Sequence, residues 1–171
     1  KPEVKSMNPK LDAQAKEIKL FITDVDGVLT DGRIVLGNDG EEFKFFHVHD
    51  GMGIKLAQRA GIKTAIITGR ESKLVERRAG ELEISEVHQN IKDKLAVFAN
   101  LLDKYGISEE NVAYIGDDLN DLKILKRVGL SFSVANAMQT VKDEVDYVTE
   151  KAGGEGAVRE AIELILNSQE K

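Results

Sequence analysis

Cysteine is absent from the 171 residues, which excludes disulfides, thiolate nucleophiles and cysteine metal sites together and makes the cytoplasm the default compartment. No apolar run approaches the roughly 20 residues that cross a bilayer, and no secretory h-region is present. Cations are in deficit, with 24 Lys and Arg against 30 Asp and Glu and a formal charge of −6. That balance argues against any general attraction to nucleic acid or to anionic membranes, so an anionic substrate must be held by local cations. Internal repeats, low-complexity tracts and linkers are also missing, and nothing in the composition calls for a second domain.

Hydrophobic residues make up 42% of the chain and charged residues 32%, enough apolar surface to offset the ordering entropy of one globular core. The expected division is a tail or short extra helix over residues 1–16 and a single domain over 17–171. Leu20-Phe21-Ile22 reads as a buried strand that ends at Thr23 and Asp24. Two β-prone segments, Arg33 to Leu36 and Glu42 to Phe46, flank the turn cluster Gly37-Asn38-Asp39-Gly40 and predict a hairpin.

Helices and strands then alternate. A helix runs from Asp50 to about Ala60, a strand over Thr64 to Ile67, and a helix begins after Ser72 as N-cap. A short strand near Val87 precedes a helix from about Asp93, with Leu95, Phe98, Leu102 and Tyr105 at core spacing and Gly106 as its stop. Further strands are expected at Val112 to Ile115, Leu130 to Val134 and Tyr147-Val148, with helices over Asp121 to Arg127 and Ala157 to Asn167. This rhythm predicts an α/β fold of Rossmann-like type, a mostly parallel sheet covered on both faces, with a hairpin insertion and ligands bound beyond the carboxyl ends of the strands.

Polar signals gather at those ends. Asp24 and Asp26, two residues apart and followed by Gly27, leave a strand where the chain turns. Such a pair can divide two roles, one carboxylate attacking phosphorus and the other moving protons. Paired acids before glycine are also ordinary turn chemistry. A second cluster, Gly116-Asp117-Asp118-Leu119-Asn120-Asp121, follows another strand, and carboxylates converging on one edge require a cation. All-oxygen ligation points to Mg²⁺, held by Asp24 and Asp117 with the backbone carbonyl of Asp26 as a third ligand. Asp118 and Asn120 would also serve as helix caps. Thr68-Gly69-Arg70 offers a hydroxyl and successive backbone N–H groups for phosphoryl oxygens. Lys94 is a candidate counter-charge, although nothing local separates it from Lys92 or Lys104.

The succession Asp24-Val25-Asp26-Gly27-Val28, Ile67-Thr68-Gly69-Arg70, Asp93-Lys94 and Gly116-Asp117-Asp118 with Asp121 resembles the four motifs of the haloacid dehalogenase superfamily. The resemblance implies Asp24 as nucleophile, Asp26 as acid and base, Thr68 and Lys94 as phosphoryl ligands, Asp117 as magnesium ligand, and Asp121 as the residue that positions Lys94 or the metal shell at the phosphate site. Within that superfamily, Asp24 to Gly32, the hairpin, Asp50-Gly51-Met52-Gly53 and Gly153 to Glu160 look like the capless phosphatases of 3-deoxy-D-manno-octulosonate 8-phosphate. That likeness implies no cap domain, a homotetramer joined through its hairpins, a phosphorylated sugar acid as substrate and a place in lipopolysaccharide biosynthesis. Phe43, Phe45 and Phe46 fit a hairpin covered by a partner, since neighbours on a strand face opposite sides.

Two positions depart from the pattern: His49 stands where these enzymes usually carry Arg, and Glu155 replaces an Arg of the Gly-Gly-x-Gly tail. Arg70, Lys73 and Arg78 remain as candidate sugar-acid contacts, with Lys73 and Arg78 equally suited to a solvated helix face. The competing functional readings are a phosphatase for a sialic-acid-type 9-phosphate or another sugar phosphate, and a non-catalytic tetramerisation module.

Overall fold

The computed structural model describes residues 8–171. Six strands form one wholly parallel sheet: β1 (Leu20–Thr23), β4 (Lys63–Ile67), β5 (Glu86–His88), β6 (Val112–Gly116), β7 (Leu130–Ser133) and β8 (Tyr147–Val148), in the order β5-β4-β1-β6-β7-β8. β2 (Val35–Leu36) and β3 (Glu42–Phe43) pair antiparallel as a separate two-stranded hairpin. The expected hairpin is therefore present, with a ladder shorter than its β-prone segments.

Side-chain alternation explains why the central strands read as continuous apolar runs. Phe21, Ile66, Ala113, Ile115, Leu130 and Phe132 enter one core, with residues of α1 (Pro9–Lys16), α2 (Val48–Arg59), α3 (Lys73–Glu81) and α7 (Ala157–Ser168). Leu20, Ile22, Ala65, Ile67, Val112 and Tyr114 enter the other, with α4 (Lys94–Tyr105), α5 (Leu122–Leu125) and α6 (Gln139–Lys142). A strand buried on both sides has no solvent face to mark with polar residues. Each large apolar side chain so buried contributes about 1.5–3 kcal/mol.

Caps set the helix limits. Ser72 accepts from the Leu74 N–H at 3.2 Å and Asp93 from the Leu95 N–H at 3.1 Å, and Gly106 follows the last turn of α4. One expectation needs correction. The helix expected over Asp121 to Arg127 is a 3₁₀ turn, Leu119–Asp121, followed by the four-residue α5; the Asp121 carboxylate binds the amides of Asp117 and Asp118 and tightens that turn. In α4 the expected stripe is present, with Phe98 fully buried and Leu95, Leu102 and Tyr105 partly buried against the same core; the fully buried Lys94 and Leu101 add to it. Helix α6 carries no amphipathic stripe and was not expected. Of the N-terminal segment, residues 1–7 lie outside the described residues; residues 9–16 form α1, whose Ala15 is buried in the same core as α7.

The topology fixes where ligands can go. After β1 the chain proceeds to β4 on one side, and after the neighbouring β6 it proceeds to β7 on the other. The loops beyond these two adjacent strands therefore part and leave a crevice at their carboxyl ends. No helix among the described residues is long and apolar enough to cross a membrane.

Candidate active site

Asp24 is the first residue beyond β1 and Asp117 the first beyond β6, so the crevice begins as two facing carboxylates. They approach because residue 27 is glycine. Gly27 has a φ of +83°, and a Cβ there would lie 2.0 Å from Asp117 Oδ2. The Gly153-Gly154 loop closes on the same turn: the Gly154 N–H donates to the Val28 carbonyl at 3.0 Å, and a Cβ at Gly153 would meet the Gly27 carbonyl oxygen at 1.8 Å.

Lys94, 4% exposed, projects from the first position of α4 into this junction. Its ammonium lies 3.1 Å from Asp24 Oδ2 and 2.8 Å from Asp121 Oδ1, and it donates to the Tyr114 hydroxyl at 3.3 Å. Asp121 is fully buried, and both of its oxygens are occupied. Oδ1 accepts from Lys94 and, at 2.6 Å, from Tyr114; Oδ2 accepts from the Asp117 and Asp118 amides at 3.1 and 3.4 Å. Asp24 Oδ1 accepts from the Val25 N–H at 2.7 Å.

Electrostatics follow from this crowding. Burial pushes Asp24 up to about 7, aided by repulsion from Asp121 and opposed by Lys94. Burial also pushes Asp117 up to about 8, with Asp24 and Asp121 adding to the effect. Burial works against the charge of Lys94, but Asp24 and Asp121 outweigh it and raise its pKa. A divalent cation held here would offset both the burial and the mutual repulsion of these carboxyls.

Asp24, Asp117 and Asp121 each offer an oxygen within 4.8 Å of the others. The hydrogen bonds that saturate Asp121 leave Asp24 and Asp117 as the pair able to turn oxygens to an ion, and an all-oxygen donor set suits Mg²⁺. The Asp26 side chain does not join the cluster; it pairs with Lys44 at 2.5 Å.

A hollow of about 420 Å³ opens above the carboxylates, lined by Asp24, Asp26, Thr68, Gly69, Arg70 and Asp117, with Gly32, Asp118 and Asn120. Six of the residues expected from the sequence thus share one cavity, and Lys94 lies directly beneath it. Two others are placed differently. Asp121 does not line the hollow and so makes no substrate contact there; it holds Lys94 from behind, as a residue that positions Lys94 would. Arg78 does not reach the hollow of its own chain: it stacks over Phe46 at 5.9 Å and pairs with Glu81 at 3.2 Å, beside a separate depression. His49 and Glu155 border a third hollow together with Arg159. The sequence reading missed Tyr114, whose buried hydroxyl required a partner, and Lys44, whose reach from the hairpin only the fold reveals.

The family profile of the haloacid dehalogenase-like hydrolases matches residues 85–162. The 3-deoxy-D-manno-octulosonate 8-phosphate phosphatase of Escherichia coli strain K12 is 52% identical over 159 residues, covering 93% of this chain and 85% of that protein. The crystal structure of the phosphatase of that name from Yersinia pestis superposes with a TM-score of 0.95 at 46% identity, covering 96% of this chain and 89% of that one. The Moraxella catarrhalis phosphatase, solved with magnesium, phosphate and the sugar acid itself, gives a TM-score of 0.92 at 48% identity, over 94% and 92% of the two chains.

Proposed function

The chain belongs to the haloacid dehalogenase-like hydrolases, and from that premise we propose that it is a Mg²⁺-dependent phosphatase releasing phosphate from 3-deoxy-D-manno-octulosonate 8-phosphate. The observation that carries the reading is the convergence of Asp24, Lys94 and Asp117 at the parted ends of β1 and β6, in a chain half identical to phosphatases of that substrate.

In the proposed reaction, Asp24 attacks phosphorus in line with the sugar oxygen and forms an aspartyl phosphate. Asp26 gives a proton to the departing sugar oxygen and takes one from the water that cleaves the intermediate. Thr68, the Gly69 and Arg70 backbone and Lys94 hold the phosphoryl oxygens, and Asp121 keeps Lys94 in place. Mg²⁺, when held by Asp24 and Asp117, supplies charge neutralisation for the transferring group. Lys94, Asp24 and Asp121 are buried and held by one another, so they act with little reorganisation, which favours electrostatic catalysis. Arg70, which lines the hollow and pairs with Glu42 at 3.1 Å, is the cation that would exchange that partner for the sugar carboxylate.

Homotetramer formation belongs to the same proposal. Ile34, Leu36, Phe43 and Phe45 on the hairpin are each more than half exposed, and Val48 follows them; an apolar group of that kind is stabilised by a partner surface. A cytoplasmic location is proposed as well, supported by the absence of cysteine.

Phosphate release from the eight-carbon sugar acid phosphate and from a nine-carbon sialic-acid-type 9-phosphate, measured in parallel with Mg²⁺, tests the substrate. The expected result is a higher kcat/KM for the former; preference for the latter transfers the reading to that sugar. No turnover of either by a stable tetramer favours the non-catalytic module.

A further inference from the structure

Lys44, just beyond β3, has a side chain only 3% exposed, and its ammonium lies 2.5 Å from Asp26 Oδ1 and 3.3 Å from Glu42 Oε1. Glu42 in turn takes Arg70 at 3.1 Å. Asp26, Lys44, Glu42 and Arg70 therefore form a chain of ion pairs whose two ends, Asp26 and Arg70, line the hollow. A buried ammonium requires partners fixed around it, so this pair is held in a way that a surface ion pair is not. Asp26 sits two residues from Asp24, yet its carboxylate stays out of the acidic cluster, and the Lys44 contact accounts for that.

We propose that Lys44 is the positioning residue for the proton-transfer step: it fixes Asp26 through Oδ1, away from the cation site, and leaves Oδ2 for the proton. The proposal rests on the phosphatase reading above. The cycle starts from the form in which Asp26 carries a proton on Oδ2 while Oδ1 accepts from Lys44; as Asp24 bonds to phosphorus, the electron pair of the breaking P–O bond passes to the sugar oxygen, which takes that proton. Asp26 is reprotonated by the water that attacks the aspartyl phosphate, so phosphate leaves and both aspartates return to their starting state. Without Lys44, the Asp26 carboxylate is free to rotate towards the ion or into solvent, and a displacement of about 1 Å is enough to cost on the order of 100-fold in rate.

Leaving-group dependence separates positioning from general damage. A sugar alkoxide needs a proton as it departs and a nitrophenolate does not, so only the first depends on an aligned acid. The measurement is kcat/KM, which excludes the later hydrolysis of the intermediate, for 3-deoxy-D-manno-octulosonate 8-phosphate and p-nitrophenyl phosphate with Mg²⁺. For Lys44→Met the expected losses are about 30-fold or more on the sugar phosphate and less than about threefold on the aryl phosphate. Lys44→Arg, which keeps a cation at the same reach, restores most of the loss. Equal losses on both substrates, or no loss on the sugar phosphate, overturn the assignment of Lys44 while leaving the phosphatase reading intact. A wild-type protein without Mg²⁺-dependent turnover of either substrate overturns both.

Discussion

Replacing Asp117 by asparagine should flatten the pH dependence of stability in the metal-free protein. The Asp117 carboxyl is pushed from 3.8 to about 8 by burial and by repulsion from Asp24 and Asp121. Its folded-state pKa thus lies above the unfolded one. The stability linked to its proton is fully present below about pH 4 and is lost as pH rises through about 8. Each proton that the folded state retains and the unfolded state releases costs about 1.4 kcal/mol per pH unit. Between about pH 5.5 and 7.5 the wild-type protein therefore loses about 3 kcal/mol through this one group, and solvent access to the partly exposed carboxyl reduces that to about 2 kcal/mol. For a chain of this length, that corresponds to about 4–8 °C in Tm. The amide of the Asp117→Asn variant holds no such proton, so the variant's Tm falls less over the same range. Asp24, shifted in the same direction, is present in both proteins and largely cancels. Saturating Mg²⁺ reverses the wild-type loss at about pH 7.5, because the ion displaces the protons. Thermal melts followed by circular dichroism, in EDTA and in Mg²⁺, give the comparison. Parallel pH dependences for the two proteins, or equal stabilisation of both by Mg²⁺, would refute the reasoning.

Three further substitutions probe the same architecture. Gly27→Ala places a methyl group 2.0 Å from Asp117 Oδ2 at a φ of +83°, so a loss of Mg²⁺-dependent stabilisation by calorimetry and at least about tenfold lower turnover are expected. Lys94→Met strips Asp24 and Asp121 of their shared cation; urea unfolding should show about 3–5 kcal/mol lower stability, with turnover reduced by roughly two orders of magnitude or more. Asp50→Ala removes a carboxylate that accepts from the Arg159 N–H at 3.0 Å in the first turn of α7, and a stability loss of about 1 kcal/mol is expected with kcat/KM unchanged within about threefold.

The parts of this molecule legible from its sequence are those where local chemistry and topology agree. Asp24, Thr68 and Asp117 each follow an apolar run, and a parallel sheet turns that position in the sequence into a common edge in space. Ser72 announces a helix start through capping, which holds in the structure, and the helix expected from about Asp93 does begin there, with Asp93 as its cap. What the sequence hid depends on distant partners. Lys94 is locally indistinguishable from Lys92, and it becomes a buried charge only because α4 begins beneath Asp24 and Asp121. Lys44 belongs to a hairpin whose placement over Asp26 no periodicity encodes. Arg78 is a candidate sugar-acid contact in the sequence because it is one of the cations left where two expected ones are missing, yet in the structure it lies against Phe46 and Glu81.

The nucleophilic role of Asp24 is the centre of the account, and trapping the covalent intermediate tests it most directly. Protein mixed with ³²P-labelled 3-deoxy-D-manno-octulosonate 8-phosphate and Mg²⁺, quenched in acid within milliseconds and mapped by peptide mass, should carry the label as an acyl phosphate on Asp24. Asp24→Asn should carry none while remaining folded. Label on another residue, or undiminished label and turnover in Asp24→Asn, would contradict the account.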